Sequence, residues 1–221
     1  MLRRLLPLLG TVLLLAACGG SGGRESAPTT TTTAAAPASG CTRVSPPPTK
    51  TRAEPRPTKR LDPSKTYRVA FQTNCGDFTV RLAVQESPAT TASFVSLVRK
   101  GYFDRTVFHR IVPGFVIQGG DPTASGLGGP GYTTVDRPPS STRYTLGLVA
   151  MAKSESAPPG AAGSQFFVVT ARDAQLQPVY AVLGTVTKGL RVVERIGRLG
   201  DRATEQPTET VEIESATVVS D

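Results

Sequence analysis

The side chains with chemistry to offer sit in two short stretches. The first, Phe108–Asp121, reads FHRIVPGFVIQGGD and holds the chain's one histidine, His109, beside Arg110. An apolar run, Phe115-Val116-Ile117, follows a Pro113-Gly114 turn, and Gln118 closes it ahead of Gly119-Gly120-Asp121. The second, Gly163–Thr170, reads GSQFFVVT and sets Gln165 next to Phe166 and Phe167. Most reactive constellations are missing. A lone histidine without evident aspartate and serine partners makes a poor hydrolytic triad. Ser164 precedes a strand instead of standing at a strand-to-helix elbow. One histidine and widely separated cysteines give no zinc-ligand spacing, and no cofactor is expected. What is left is a permanently charged arginine among amides and apolar side chains. Such a set forms no covalent intermediate, but it can stabilise developing charge. Taken alone, Arg110 reads as a surface arginine in an ion pair.

The elements that position these residues are short. The first stretch reads as two strands joined by the Pro-Gly turn and ending in a glycine loop. Alternation puts Phe108 and Arg110, then Phe115 and Ile117, out of phase with their neighbours, without saying which face is the core. Upstream, Tyr67–Thr73 and Phe78–Leu82 alternate around the turn Asn74–Asp77, a hairpin signal. Pro88–Tyr102 reads as a helix, with Ser87 as N-cap, Pro88 in the first position and Gly101 at its end. A Gly/Pro/Ser-rich loop, Pro122–Ser141, follows. Strand-like segments recur at Tyr144–Ala152, Gln165–Thr170, Val179–Thr187 and Thr210–Val219, with a short helix at Lys188–Ile196. Many short strands with two helices suggest a closed barrel, and about 155 residues suffice for one core.

Together the two stretches resemble the cyclophilin family of peptidyl-prolyl cis-trans isomerases, whose patterns F-H-R-x-x-P-x-F-x-x-Q-G-G-D and G-S-Q-F-F they follow closely. The resemblance runs from about Tyr67 to Val219. It implies a mainly β fold, a closed eight-stranded antiparallel β-barrel capped by two α-helices. It implies rotation about X–Pro bonds, whose barrier of about 18–20 kcal/mol comes from amide resonance. A twisted amide has a localised nitrogen lone pair, so a fixed cationic donor binds it better than either planar form. By resemblance Arg110 is that donor, and Gln118 holds the substrate carbonyl and orients the arginine. Phe115, Val116, Phe167 and Leu176 align with the slot for the proline ring, and Tyr180 replaces a pocket histidine. Gln165 and the backbone at Ala152 and Lys153 align with peptide-binding positions, and His109 aligns with a pocket-flanking histidine, read as a hydrogen-bonding support or, alternatively, as purely structural. Val116 stands where methionine is common, and Lys153 where asparagine is usual. Gln175 stands where many members carry the tryptophan that donates to cyclosporin, so cyclosporin binding stays open. The reading from another class is a non-catalytic proline-peptide-binding or holdase module, which would not require the arginine.

Nothing before about residue 66 takes part in that resemblance. Arg3 and Arg4 precede an apolar run, Leu5–Ala17, too short to span a bilayer as a helix. The run ends Leu15-Ala16-Ala17-Cys18-Gly19, which resembles a bacterial lipobox; residues 1–17 then form a lipoprotein signal peptide and Cys18 carries the lipid. The alternative is an ordinary secretory signal cut near Ala16-Ala17, with Cys18 incidental. Residues 18–65 read as a disordered Thr/Ala/Pro-rich basic linker, too poor in apolar residues to fold alone, ahead of an isomerase domain at 66–221. The formal net charge of +8 resides mostly there. Arg43, Lys50, Arg52, Arg56, Lys59, Arg60 and Lys65 stand against Glu54 and Asp62. The domain itself is near neutral and lacks the basic, aromatic-studded stripe of a nucleic-acid binder. With Cys18 lipidated, Cys41 and Cys75 remain, and outside the membrane they are expected to pair; the alternative is two free thiols. The expectation is a monomer on the extracytoplasmic face of the cell membrane, lipid-anchored, acting on proline-containing peptides and unfolded exported proteins.

Overall fold

The computed structural model describes residues 39–220; the signal-peptide segment and Cys18 lie outside them. In chain order the strands are β1 (Tyr67–Thr73), β2 (Phe78–Leu82), β3 (Thr106–Val107), β4 (Arg110–Val112), β5 (Val116–Gly119), β6 (Thr134–Val135), β7 (Leu148–Met151), β8 (Ala161–Ala162), β9 (Phe166–Val169), β10 (Val182–Lys188) and β11 (Glu212–Ser220). The helices are α1 (Pro88–Arg99) and α2 (Leu190–Ile196). The opening hairpin forms as its alternation predicts. Val69 faces Val80 and Phe71 faces Phe78 across the ladder, and the two phenyl rings stack at 4.8 Å.

Nine strands form one antiparallel sheet in the order β3-β11-β1-β2-β10-β7-β9-β5-β4, and β6 pairs with β8 separately. The edge strands β3 and β4 are successive in the chain, with only Phe108 and His109 between them. The sheet must therefore curl until its two edges almost meet. The expected closed, eight-stranded barrel differs from this in strand count and in closure. Among the described residues no ladder joins β3 to β4. The backbone of a later loop occupies the place instead: the Ile111 amide donates to the Glu205 carbonyl at 2.9 Å, and the Phe108 amide to Val211 at 2.9 Å.

The curl encloses an aromatic core. Phe166 is fully buried, with ring centroids 5.4 Å from Phe71, 5.6 Å from Phe94 and 6.0 Å from both Phe103 and Phe108. Phe94 reaches it from α1. Ser87 stands at the N-cap, but its hydroxyl makes no capping bond; the Asp136 carboxylate accepts from the Thr90 amide at 2.6 Å instead. At the other end, Gly101 takes φ 65°, so that its amide reaches Val98 and the Tyr102 amide reaches Leu97. That geometry stops the helix and is open to glycine with little strain.

Residues 39–65 do not behave as the disordered linker that their composition suggests. They have no regular strand or helix, yet they lie along the folded domain as a strap. Cys41 and Cys75 are joined by a disulfide and both are buried. The Arg52 guanidinium donates to the carbonyls of Gly101, Tyr102 and Asp104, which follow the end of α1. The Lys50 amide donates to Pro122 and the Glu54 amide to Pro130, both at 3.0 Å, and Glu54 pairs with Lys100 at 2.6 Å. The physical reason is that the strap needs no core of its own. It is held by a covalent tie and by backbone groups that the domain leaves unpaired.

Candidate active site

The strand registers place the two motif stretches side by side. Arg110 on β4 faces Gln118 on β5, Gln118 faces Phe167 on β9, and Phe167 faces Ala150 on β7. These four form a row across the sheet. The next row on the same face is Val112, Val116 and Val169. The intervening residues Ile111, Ile117, Phe166, Val168, Val149 and Met151 point into the core. Alternation thus assigns one face of this four-strand region to the core and the other to a site. Phe166 belongs to the first and Phe167 to the second.

On the site face, Val116, Phe167, Ala150, Val169 and Tyr144 form a second, separate apolar cluster. Phe115, Leu148, Ala152, Leu176 and Tyr180 are partly buried against it. Every apolar residue that the resemblance assigned to the proline slot is in this group. Tyr144 was not singled out from the sequence. It is fully buried; its hydroxyl donates to the Tyr180 carbonyl at 2.7 Å and accepts from the Tyr180 amide at 3.0 Å. Burial pushes its pKa up to about 12, so it remains a donor at neutral pH. The Tyr144, Phe167 and Tyr180 rings pack together, with Tyr180 edge-on to both.

Arg110 stands at the rim of this cluster in a continuous polar chain. Its Nε donates to Glu205 Oε2 at 2.7 Å and its Nη1 to Gln118 Oε1 at 3.3 Å. Gln118 Nε2 donates to Gln165 Oε1 at 3.0 Å, and Gln165 Nε2 donates to the Gly126 and Gly128 carbonyls, both at 2.9 Å. Among the described residues, Nη2 of Arg110 has no partner. Glu205 is a second residue missed in the sequence. It lies 95 positions from Arg110 and carries no motif.

Beside the apolar slot runs a groove of about 1120 Å³, lined by Gly126–Thr133 and by Ala152, Lys153, Ser164 and Gln165. It meets the slot at Ala152, which belongs to both, and reaches Gln118, the strand neighbour of Phe167. Thr51 of the strap also lines it. The Ala152 amide is taken by the Gln165 carbonyl at 2.9 Å. Lys153 folds back, its Nζ on the Ser154 and Ala157 carbonyls and 6.0 Å from the centre of the Tyr180 ring.

One wall of the groove is organised by Asp121, which is fully buried. Its carboxylate accepts from the amides of Thr123 (2.7 Å), Gly126 (2.7 Å) and Gly128 (3.0 Å) and from the Thr123 hydroxyl (2.7 Å). A side chain at position 128 would collide with it, since an added Cβ falls 2.0 Å from Asp121 Oδ1. Burial pushes the carboxyl up, but the bonds from Thr123, Gly128 and Gly126 outweigh it and hold the pKa below the usual carboxylate range. His109 does not line this groove. It is 8 % exposed, and neither ring nitrogen has a hydrogen-bond partner. Burial pushes its pKa down, opposed by the Asp121 charge and assisted by Arg110, so it is neutral at pH 7.

These shifts share one sign. Both groups hold protons less tightly in the fold than in the unfolded chain, so stability present at neutral pH is lost on acidification. The His109 contribution begins to go below about pH 6.5, and the Asp121 contribution below about pH 4. The thermal midpoint is expected to fall in two stages as the pH drops. Replacing His109→Asn should flatten the curve between pH 7 and 5 and leave the lower stage. An unchanged slope in that window would show that His109 is not buried uncharged.

A fixed cation at the rim of an apolar slot suits a reaction that breaks no covalent bond. Comparison with known proteins agrees. The family model "Cyclophilin type peptidyl-prolyl cis-trans isomerase/CLD" matches residues 68–218. A peptidyl-prolyl cis-trans isomerase-like 1 of Aspergillus oryzae is 37% identical over 157 residues, covering 69% of this chain and 96% of that protein. A probable peptidyl-prolyl cis-trans isomerase A of Mycobacterium bovis is 36% identical over 174 residues, covering 71% and 94%. A crystal structure of a Cryptosporidium parvum cyclophilin-type isomerase in the presence of the dipeptide Ala-Pro aligns with TM-score 0.64 at 29% identity, covering 70% of this chain and 99% of that one. The chain belongs to the cyclophilin-type peptidyl-prolyl cis-trans isomerases. Its reaction is rotation about the peptide bond that precedes proline.

Proposed function

We propose that Arg110 and Gln118 carry that rotation, with the proline ring seated against Phe115, Val116, Phe167, Leu176 and Tyr180. The observation that carries this reading is the row Arg110–Gln118–Phe167 across three adjacent strands. Strands about 4.8 Å apart put the backbone of Arg110 roughly 10 Å from that of Phe167, a gap that the arginine side chain and a proline ring can bridge between them. As the amide twists, the prolyl nitrogen gains basicity and an N–H of Arg110 donates to it. The interaction is stronger in the twisted state than in either planar one, which is the condition for catalysis. Among the described residues the second N–H of Gln118 Nε2 has no partner, which leaves it to hold the substrate carbonyl. Gln165 and the backbone at Ala152 and Lys153 border the adjoining groove, where the rest of the peptide lies. Replacing Phe115→Ala removes apolar contact shared by ground and transition states. It should raise KM for a short X–Pro peptide about tenfold with kcat nearly unchanged. A fall in kcat with KM unaltered would contradict this seat for the ring.

The same reading places the enzyme outside the cytoplasmic membrane, tethered through Cys18, as a monomer acting on exported proteins as they fold. The charged, apolar and Ala-Ala-Cys-Gly succession of residues 3–19 supports it, as does the disulfide between Cys41 and Cys75, which persists in oxidising compartments. Labelled palmitate should enter the full-length chain in a bacterial host and be absent from Cys18→Ser. Incorporation that survives the substitution, or none in the parent, would contradict the anchor.

A further inference from the structure

Glu205 stands in the loop between α2 and β11, far along the chain from both motifs. The loop is closed on itself. Asp201 Oδ1 accepts from the amides of Ala203 (2.9 Å) and Thr204 (2.8 Å), and from the Thr204 hydroxyl (2.9 Å). The Glu205 amide donates to the Asp201 carbonyl and the Asp201 amide to the Gln206 carbonyl, both at 2.8 Å. This presents Glu205 to the edge of β4 twice. Its carbonyl accepts from the Ile111 amide at 2.9 Å, and its carboxylate from Arg110 Nε at 2.7 Å. One residue thus clamps two consecutive positions of the strand, one by backbone and one by side chain.

The backbone at this position does not ask for a glutamate. Its φ is 59°, in the left-handed region where glycine or asparagine sits with less strain. The side chain is explained by what it touches. With Nε held by Glu205 and Nη1 by Gln118, the planar guanidinium is fixed through two of its three nitrogens, and Nη2 is left over.

We propose that Glu205 is a positioning residue for the isomerase reaction, setting the plane of the Arg110 guanidinium so that its N–H groups meet the prolyl nitrogen only as the amide twists. The inference rests on Arg110 being the donor. The carboxylate also offsets part of the arginine's charge, which acts against catalysis. Orientation outweighs that offset because both side chains are over a third exposed and water screens the pair, whereas a hydrogen bond to a twisting amide depends steeply on direction.

The test uses the chain from residue 39 to 221, disulfide formed, with a short X–Pro peptide as substrate. Glu205→Gly removes the carboxylate while suiting the left-handed backbone and keeping the carbonyl bond to Ile111. It should lower kcat about tenfold with KM unchanged, while the thermal midpoint stays level or rises. Glu205→Gln keeps an acceptor at the same reach and should return kcat to within about threefold of the parent. In an Arg110→Ala background, Glu205→Gly should have no further effect on turnover. Full activity in Glu205→Gly, or an equal loss with and without Arg110, would overturn the positioning role. An activity gain would show that the charge offset prevails, and would overturn it as well. If Arg110→Ala alone keeps full activity, it is the reading of Arg110 that fails, and Glu205 falls with it.

Discussion

Arg110→Ala is expected to lower kcat/KM on a short X–Pro peptide by a hundredfold or more while the protein stays folded. Removal of one donor aimed at developing charge typically costs that much. In the proposed mechanism the loss falls on kcat, because the guanidinium acts on the twisted amide and not on the planar forms that KM reports. The fold survives because Arg110 is partly exposed and β4 is held by its backbone: Ile111 pairs with Ile117 on one side and reaches Glu205 on the other. Arg110→Lys keeps the charge but has no Nε and no fork, so it cannot hold Glu205 and Gln118 together with a donor to spare. It should recover only a small part of the rate. Retention of turnover in Arg110→Ala would leave the family and fold in place and remove the mechanism.

The second large effect lies in the strap. A chain that begins at Thr66 keeps all of the region matched to the family, yet it loses the Cys41–Cys75 tie and the Arg52 contacts. A disulfide across 34 residues contributes roughly 3–4 kcal/mol by constraining the unfolded chain. Each charge-assisted bond from Arg52 adds on the order of 1.5 kcal/mol or more where water is excluded. The strap also holds the carbonyls of Pro122 and Pro130, at either end of the loop whose Gly126 and Gly128 carbonyls hold Gln165. Truncation should therefore lower the urea midpoint by several kcal/mol in equivalent stability and reduce turnover as well. In the chain from 39 to 221, Cys41→Ser with Cys75→Ser should show the disulfide share alone. Equal midpoints for the truncated and longer chains would mean that the strap only rests on the surface.

The parts of this enzyme that could be read from sequence are those in which neighbours in the chain are neighbours in space. The hairpin at residues 67–82 and the β4–β5 ladder needed only alternation and turn residues. The face of the site needed the third dimension. Phe115 and Ile117 share a parity, yet Ile117 enters the core and Phe115 joins the slot. The turn releases Phe115 from the β4–β5 ladder: its amide bonds to Val112, and its carbonyl accepts from Thr170 and Ala171. The apolar slot was legible through family resemblance, because Leu176 reaches it from a loop with no periodic pattern and Tyr180 stands ahead of β10. Glu205 and Tyr144 make their contacts with residues distant in the chain, Glu205 with β4 and Tyr144 with Tyr180, and these leave no local signature. Composition reports apolar area and so gives no sign of the strap, which covalent and hydrogen bonds hold along residues 39–65. The open edge between β3 and β4 was hidden for a related reason, since a loop backbone there substitutes for a strand.

The most direct test of the central claim is two-dimensional exchange NMR on an X–Pro peptide at equilibrium with a small amount of the chain from 39 to 221, disulfide intact. The account predicts cross-peaks between the cis and trans proline resonances on a sub-second timescale, where the free peptide shows none. It also predicts perturbed resonances at Phe115, Gln118 and Phe167. Perturbation of those residues without exchange would contradict it, and would make the site a place where proline peptides are held and not turned.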